Sequence, residues 1–245
     1  MKTKVVYIVI VLITSMAPKA FSQSPDLLFS NDLIQIYKSR ALAMDETIYD
    51  ATTDFEKLRE TEETDECKVD YSFYYNPLSL VGAYYSYEFG EGGVVACGVP
   101  GSSLGIRTID LKSKKETALT DIFEEKSILN ALKSDKWIQG IGKENHIDFS
   151  GYHNLKDLIT AINKLGYAEF KPSSFAILRY SEEKNEVAVR FVGKAYVGFN
   201  HNQHLQLGLT LVPKPNFKDE LLNKTEFVLG KFKNGLTTQR GQNGG

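Results

Sequence analysis

The 245-residue chain has only two cysteines, one tryptophan and seven prolines. It contains no apolar run of about 18 residues, so a stable membrane-spanning helix is not expected. Basic residues are not in excess, because 29 lysines and arginines stand against 31 aspartates and glutamates. The concentrated basic surface of a nucleic-acid-binding protein is therefore not indicated. No P-loop, HExxH or dinucleotide-binding pattern is present, so we expect neither a cofactor nor a metal ion.

The first 22 residues have the layout of a secretory signal peptide. Lys2 and Lys4 precede the apolar run 5–13, and small side chains end the segment at Ala20 and Ser22. This order of a basic start, a short apolar stretch and a small-residue cleavage site is typical of exported proteins. We therefore predict cleavage after Ser22 and a mature protein that is secreted, in the periplasm or outside the cell.

Export bears on the two cysteines, Cys67 and Cys97. An oxidising compartment permits a disulfide between them, and closing a loop of about 30 residues would stabilise the fold by roughly 3.5 kcal/mol in the chain-entropy model. Two unpaired, buried thiols are the alternative. We predict the disulfide.

Negative charge is concentrated near the start of the mature chain. Residues 45–70 contain eleven acidic side chains against three basic ones. Such a block is most often a solvated face or loop. It could also be a docking surface for a cationic partner, whose association it would accelerate by long-range attraction.

Aromatic residues crowd the next segment. Tyrosine is rigid and amphipathic, which suits stacking on a glycan or packing in a protein interface, although aromatic residues also favour strands for their own sake. We predict six binding residues here: Tyr71, Phe73, Tyr75, Tyr84, Tyr85 and Tyr87.

Hydrophobic periodicity predicts strands on either side of two helices. Alternation of period two marks residues 71–75, 84–89, 106–111, 175–180, 186–192 and 205–211 as strands. A tight turn is expected at Gly90–Gly93. Helical spacing predicts one helix capped by Ser127 and another that begins after Asn154 and ends at Gly166. The pattern favours an α+β fold in which an antiparallel sheet packs against two or three helices.

A resemblance to a known family rests on four stretches. They are residues 84–88, 97–100, 108–115 and 119–123. In the last two, Asp110 to Lys115 and Leu119 to Phe123 are similar to the family's "Asp-Leu-Lys-x-Gly-Lys" and "Leu-x-Asp-Leu-Phe" runs. In these, residues 67–213 resemble the extracytoplasmic domain of unknown function of RsiV-type anti-sigma factors and of some peptidoglycan deacetylases. The small-residue loop lacks the Gly-Gly-Ala-His of many members. The resemblance implies the fold and, by analogy, lysozyme-like muramidases as one class of partner.

Two patterns could support catalysis or metal binding. Gly101–Gly105 fits G-x-S-x-G, which places a nucleophilic serine, here Ser103, on a turn between a strand and a helix. A strand is predicted after Ser103, so we expect a flexible loop instead. The four histidines, His146, His153, His201 and His204, are expected to be solvated loop residues rather than metal ligands.

We interpret the sequence as a signal peptide (1–22), an acidic helical subregion (23–66), an α+β domain (67–234) and a disordered tail (235–245). The expected function is a non-enzymatic binding module for an envelope protein or glycan, with a basic partner favoured. An envelope hydrolase that uses Ser103 or the histidines, and a purely structural envelope domain, are the alternatives. The sequence does not determine the oligomeric state.

Overall fold

Residues 27–50 form a four-stranded antiparallel meander. Its strands, paired in chain order, are β1 (Leu27–Ser30), β2 (Gln35–Tyr37), β3 (Arg40–Ala43) and β4 (Glu46–Asp50). Helix α1 (Ala51–Glu62) follows at once, because the Asp50 side chain accepts a hydrogen bond from the Thr52 N–H and caps it. The computed structural model describes residues 26–68, 70–94, 98, 101–198 and 201–217. The expected helical subregion (23–66) is therefore corrected, since its residues 27–50 form a sheet and its helix is confined to Ala51–Glu62. The predicted signal peptide and tail lie outside the described residues.

The second sheet has seven strands. They are β5 (Asp70–Val81), β6 (Tyr84–Val94), β7 (Gly101–Asp110), β8 (Lys115–Glu116), β9 (Glu169–Ser181), β10 (Glu186–Gly198) and β11 (His201–Leu211). The order is β5-β6-β7-β11-β10-β9, with β8 on β7. All pairs are antiparallel except β7 with β11, which meet at Ser102 and His201. Strand β6 continues through Gly90–Gly93, and these residues pair in register with β5 and β7. The tight turn expected there is therefore corrected.

In the described ranges, five helices and one short 3-10 turn connect these strands. After α1 come α2 (Leu119–Ile122), α3 (Glu125–Ser134), α4 (Lys136–Glu144), the 3-10 turn (Phe149–Gly151) and α5 (Leu155–Lys164). The prediction for α5 is confirmed: the Asn154 side chain accepts from the Asp157 N–H, and Gly166 follows the helix with a φ of +77°. The α+β fold class is confirmed as well.

Three apolar clusters fill the part of the molecule that the structure describes. Helices α2 to α5 cover one face of β9–β11 around Phe175, Phe191 and Leu209. The N-terminal sheet covers one face of β5–β7 around Ile36 and Tyr85. A smaller cluster, which includes Leu78 and Val192, lies between the two halves of the large sheet. Both halves of that sheet are therefore covered on two faces.

Hydroxyl groups join the two halves of the large sheet, where β9 crosses β5, β6 and β7. The Ser79 hydroxyl donates to the Ile177 carbonyl, and the Ser86 hydroxyl accepts from the Ile177 N–H. Thr108 donates to the Phe175 carbonyl at 2.6 Å. These side chains satisfy backbone groups on the outer edge of β9 that have no strand beside them.

Candidate functional site

The predicted aromatic binding residues lie mainly inside the protein. Tyr75, Tyr84, Tyr85 and Tyr87 are buried, none more than 8% exposed. They are buried because β6 is covered on both faces. Its side chains alternate between the two covering layers.

The other two predicted aromatic residues begin β5. Phe73 is half-buried and meets the Phe55 ring of α1 edge-on at 6.1 Å between centroids. Tyr71 belongs to β5, and its side chain lies outside the described residues. Phe73 thus anchors α1 to the large sheet.

The buried tyrosines form one connected cluster. The Tyr75 and Tyr85 hydroxyls hydrogen-bond to each other, and the Tyr85 and Tyr87 rings stack at 5.5 Å. Tyr49, from β4, stacks on Tyr75 at 5.2 Å. Burial raises the pKa of Tyr75 and of Tyr85 well above the usual range, and burial followed by the charge of Asp54 raises the pKa of Tyr49. These phenols remain neutral near neutral pH and hold the N-terminal sheet onto β5 and β6.

The acidic segment is on the surface, as helix α1 and the residues beside it. Ala51 is the only buried residue of α1, while Phe55 and Leu58 are half-buried. Its outer side exposes three carboxylates that form no ion pair with a described residue: Glu56, Glu60 and Glu62. Elsewhere in the segment, Glu46 pairs with Lys114 and Glu63 pairs with Lys68. Much of the negative charge of α1 is therefore uncompensated locally.

Cys67 follows α1 and is half-buried. Its predicted partner, Cys97, lies outside the described residues. The disulfide between them remains a prediction.

The G-x-S-x-G segment begins strand β7 instead of forming a loop. Ser103 is opposite Glu91 on β6, and its hydroxyl donates to the Glu91 carboxylate at 2.8 Å. A nucleophilic serine on such a motif needs a sharp turn into a helix, whereas β7 continues to Asp110. The local geometry does not provide that turn.

Only part of the histidine prediction agrees with the structure. His146 and His153 are exposed, and the His201 side chain lies outside the described residues. His204 is in β11 with a side chain only 2% exposed, so the expectation of a solvated loop residue is corrected there. Strand β11 is longer than its leucine alternation predicts, and this extension carries His204 into the interior.

His204 belongs to a buried polar group that the sequence interpretation missed. Its Nδ1 lies 2.9 Å from Oε1 of Glu88, whose side chain is 4% exposed. Neither ring nitrogen of His204 makes a hydrogen bond of normal geometry with a described residue. Burial lowers the pKa of Arg190, and the nearby negative charge of Glu88 opposes this decrease. Arg190 supplies part of the positive charge that a carboxylate needs inside a protein.

The sequence contains one signal for this group. Glu88 interrupts an aromatic run at a position that shares its strand face with Tyr84 and Ser86. A charged residue on that face indicates a buried ionic contact only when both faces of the strand are known to be covered. Its partners come from β10 and β11, more than 100 residues later in the chain.

Within the described ranges, no cluster of three or more histidine, cysteine, aspartate or glutamate side chains is arranged to hold a metal ion. The helices of those ranges also include none that is both long and apolar enough to cross a bilayer.

No protein-family model matches the chain, and no curated protein does. Among solved structures, the chain is similar to a member of the DUF3298 family from Bacteroides fragilis. The two are 12% identical with a TM-score of 0.31, and the match covers 70% of this chain and 66% of that one. The match thus spans just under two thirds of the solved chain. The likeness is to an uncharacterised domain.

Proposed function

We propose that this protein is secreted and acts as a non-enzymatic binding module for an envelope-associated partner. The envelope partner is a protein or a glycan, and a basic protein such as a lysozyme-like muramidase is the first candidate. The observation that carries the proposal is the outer side of α1, where Glu56, Glu60 and Glu62 are exposed and have no described ion-pair partner.

The attachment of α1 supports this role. Phe55 packs against Phe73 of the large sheet and Leu58 is half-buried, while the charged side of the helix faces solvent. The helix is short and strongly charged, and the carboxylates would repel one another without a partner. The helix also exposes Lys57 and Arg59, but four acidic residues against these two leave it with a net negative charge. An excess of negative charge on an anchored element attracts a cationic partner and accelerates the encounter.

Binding to lysozyme at several salt concentrations tests the proposal. We expect the mature protein to bind lysozyme at low ionic strength and to lose affinity as salt rises, because screening weakens contacts between exposed charges. Peptidoglycan fragments provide the glycan arm of the same titration. Absence of binding to both at every salt concentration contradicts the proposal.

A matched pair of triple variants places the partner on α1. Glu56→Gln, Glu60→Gln and Glu62→Gln together should raise the Kd for lysozyme about tenfold at low salt. The control removes three equally exposed carboxylates elsewhere, through Glu144→Gln, Glu182→Gln and Glu183→Gln. It should change the Kd by less than about twofold. Equal weakening by both sets would mean that net charge, and not α1, attracts lysozyme.

A further inference from the structure

The cover of the large sheet ends near the turn between β9 and β10. On the face of β9–β11 opposite the helices, Val192 is buried in the cluster shared with β5 and β7. Closer to the turn, Arg179, Gly208 and Thr210 are exposed. Register places them side by side, because Ala188 pairs with Arg179 on one side and with Thr210 on the other. Residues directly opposite in such pairs share a face. This end of the sheet therefore presents an open face to solvent.

A cavity of about 540 Å³ lies on this open face. Its volume falls within the roughly 300–1,000 Å³ that is typical of ligand sites. Ala188 and Tyr180 line it together with six polar side chains: Arg179, Ser181, Glu183, Lys184, Glu186 and Thr210. Two of these six are cationic and two are anionic. The lining therefore carries no net charge and suits a hydrophilic, neutral ligand.

The four charged side chains of this cavity do not neutralise one another by direct contact. Among the described residues, none of the four forms an ion pair or a side-chain hydrogen bond. The cations only donate hydrogen bonds and the carboxylates only accept them, whereas a hydroxyl does both. Neighbouring hydroxyls of a sugar can therefore bond to a cation and to a carboxylate at once. A charged ligand of either sign would instead meet two like charges.

The turn that carries Glu183 and Lys184 is held in place by hydrogen bonds. The Asn185 N–H donates to the Glu182 carbonyl at 3.2 Å, and the Tyr180 hydroxyl donates to the Asn185 side-chain oxygen at 3.0 Å. Asn185 has a φ of +50°, a left-handed conformation that asparagine tolerates. The charged side chains of the lining thus project from an ordered turn. Such order lowers the entropy that binding would otherwise cost.

Gly208 continues the open face beyond the cavity, and no contact within the described chain requires a glycine there. It pairs in register with Arg190, and its φ is not in the left-handed region. A Cβ at Gly208 would meet no described atom within 4 Å, so the Arg190 side chain does not lie over it. Glycine in a strand interior destabilises the strand relative to alanine. A glycine without such an internal role is typical of a site where another molecule approaches the backbone closely.

We propose that this open face binds a neutral oligosaccharide, with one sugar ring flat on Gly208 and the following rings in the adjoining cavity. Arg179 and Lys184 donate to the sugar hydroxyls, and Glu183 and Glu186 accept from them. The inference rests on the proposed function only for the source of the sugar, which is a glycan of the envelope. The site shares no residue with the acidic side of α1.

Calorimetric titration of the full chain with triacetylchitotriose, a neutral trisaccharide of N-acetylglucosamine, tests the proposal. We expect binding, and the Gly208 amide should be among the resonances that shift most in NMR spectra. Trigalacturonic acid has a carboxylate on each ring and should bind several-fold more weakly, because Glu183 and Glu186 repel it. Absence of binding to triacetylchitotriose, or equal or tighter binding of trigalacturonic acid, overturns the proposal.

Gly208→Val separates contact with the sugar from the stability of the fold. Valine favours strands, so the variant should resist urea at least as well as the parent protein. Its side chain occupies the place of the sugar ring and should weaken binding about tenfold. Gly140→Ala is the control, because this glycine of α4 also has open space beside it and should leave the Kd unchanged. Unchanged sugar affinity in folded Gly208→Val contradicts the proposal.

A second pair of variants tests the hydrogen-bonding side chains. Arg179→Ala removes the donors of an exposed residue and should weaken sugar binding about fivefold. Arg40→Ala removes another exposed guanidinium, on β3, and should have no effect on the Kd. Equal affinities of the two variants would show that Arg179 does not contact the sugar, and the proposed site would be wrong.

The two triple variants of glutamates separate this site from lysozyme binding by α1. Glu183 lines the cavity, so the variant of Glu144, Glu182 and Glu183 should weaken sugar binding several-fold and leave lysozyme binding nearly unchanged. The triple variant of α1 should do the reverse. If the α1 variant weakens sugar binding as much as the other one does, the sugar site is wrong. Loss of lysozyme binding alone leaves the sugar site supported.

Discussion

Single tyrosines illustrate how burial changes the role of a residue. Tyr75, Tyr85 and Tyr87 were candidates for a ligand surface because tyrosine is common in interfaces. In the structure they contact one another and Tyr49, and their hydroxyls are removed from water. Chemical type alone therefore did not separate a binding tyrosine from a core tyrosine.

These buried phenols predict a loss of stability at alkaline pH. Burial raises the pKa of Tyr75 and of Tyr85, so the folded protein keeps protons that the unfolded chain releases above pH about 10. The stabilising contribution is fully present below pH about 10 and falls by about 1.4 kcal/mol per pH unit for each such tyrosine above it. Urea unfolding between pH 8 and pH 12 should show this decline.

A double variant identifies the responsible groups. Tyr75→Phe with Tyr85→Phe removes both hydroxyls of the hydrogen-bonded pair and should flatten the alkaline decline. Tyr167→Phe is the control, because Tyr167 is 45% exposed. If the double variant and the control lose stability equally above pH 10, the buried pair is not the cause.

At the scale of elements, local sequence signals predicted some boundaries and missed others. Asn154 and Gly166 bound α5 as predicted, because both the cap and the glycine act within a few residues. Ser127 was predicted to cap α3, but α3 begins at Glu125 and the Ser127 hydroxyl accepts from the N–H of Val212. The Ser127 hydroxyl thus bonds to a residue 85 positions away instead of capping the helix.

Helix α4 contains two glycines whose replacement should have opposite effects. A Cβ at Gly142 would lie 2.9 Å from the Ile147 carbonyl oxygen and from the Phe149 ring. Gly142→Ala should therefore lower the free energy of unfolding by about 1–3 kcal/mol. A Cβ at Gly140 meets nothing within 4 Å, so Gly140→Ala should raise it by about 0.5–1 kcal/mol. Thermal or urea unfolding of both variants measures the difference, and a shared sign would contradict this account of α4.

At the scale of the whole molecule, the hydroxyl contacts between β9 and the strands it crosses decide how the large sheet closes. Ser86 and Thr108 hydrogen-bond to each other at 2.8 Å and also bond to the backbone of β9. Both side chains are buried. This arrangement replaces a backbone ladder.

Removal of one of these hydroxyls should show how much it contributes to the free energy of unfolding. Thr108→Val keeps the side-chain shape but leaves the Phe175 carbonyl without its donor, which should cost about 1–3 kcal/mol of unfolding free energy. Thr117→Val is the matched control. It removes the Thr117 hydroxyl that donates to the Thr108 carbonyl, but this carbonyl still accepts from the Thr117 N–H at 3.0 Å. It should cost less than about 1 kcal/mol. Equal losses in urea unfolding would show that the hydroxyl contacts with β9 add no particular stability.

The sequence by itself determined the features that depend on neighbouring residues. Period-two alternation predicted the strands at 175–180 and 205–211, and the spacing after Asn154 predicted α5, because the side-chain direction follows directly from the local backbone. The acidic character of residues 45–70 was equally visible. The α+β class of the fold followed from these elements.

Only the tertiary structure decided which side chains are covered and which strands meet. The N-terminal sheet covers one face of β6, and β9 crosses the other face. The tyrosines of β6 are therefore buried, and Glu88 lies beside His204. The partners come from distant parts of the chain, and no local pattern encodes their arrival.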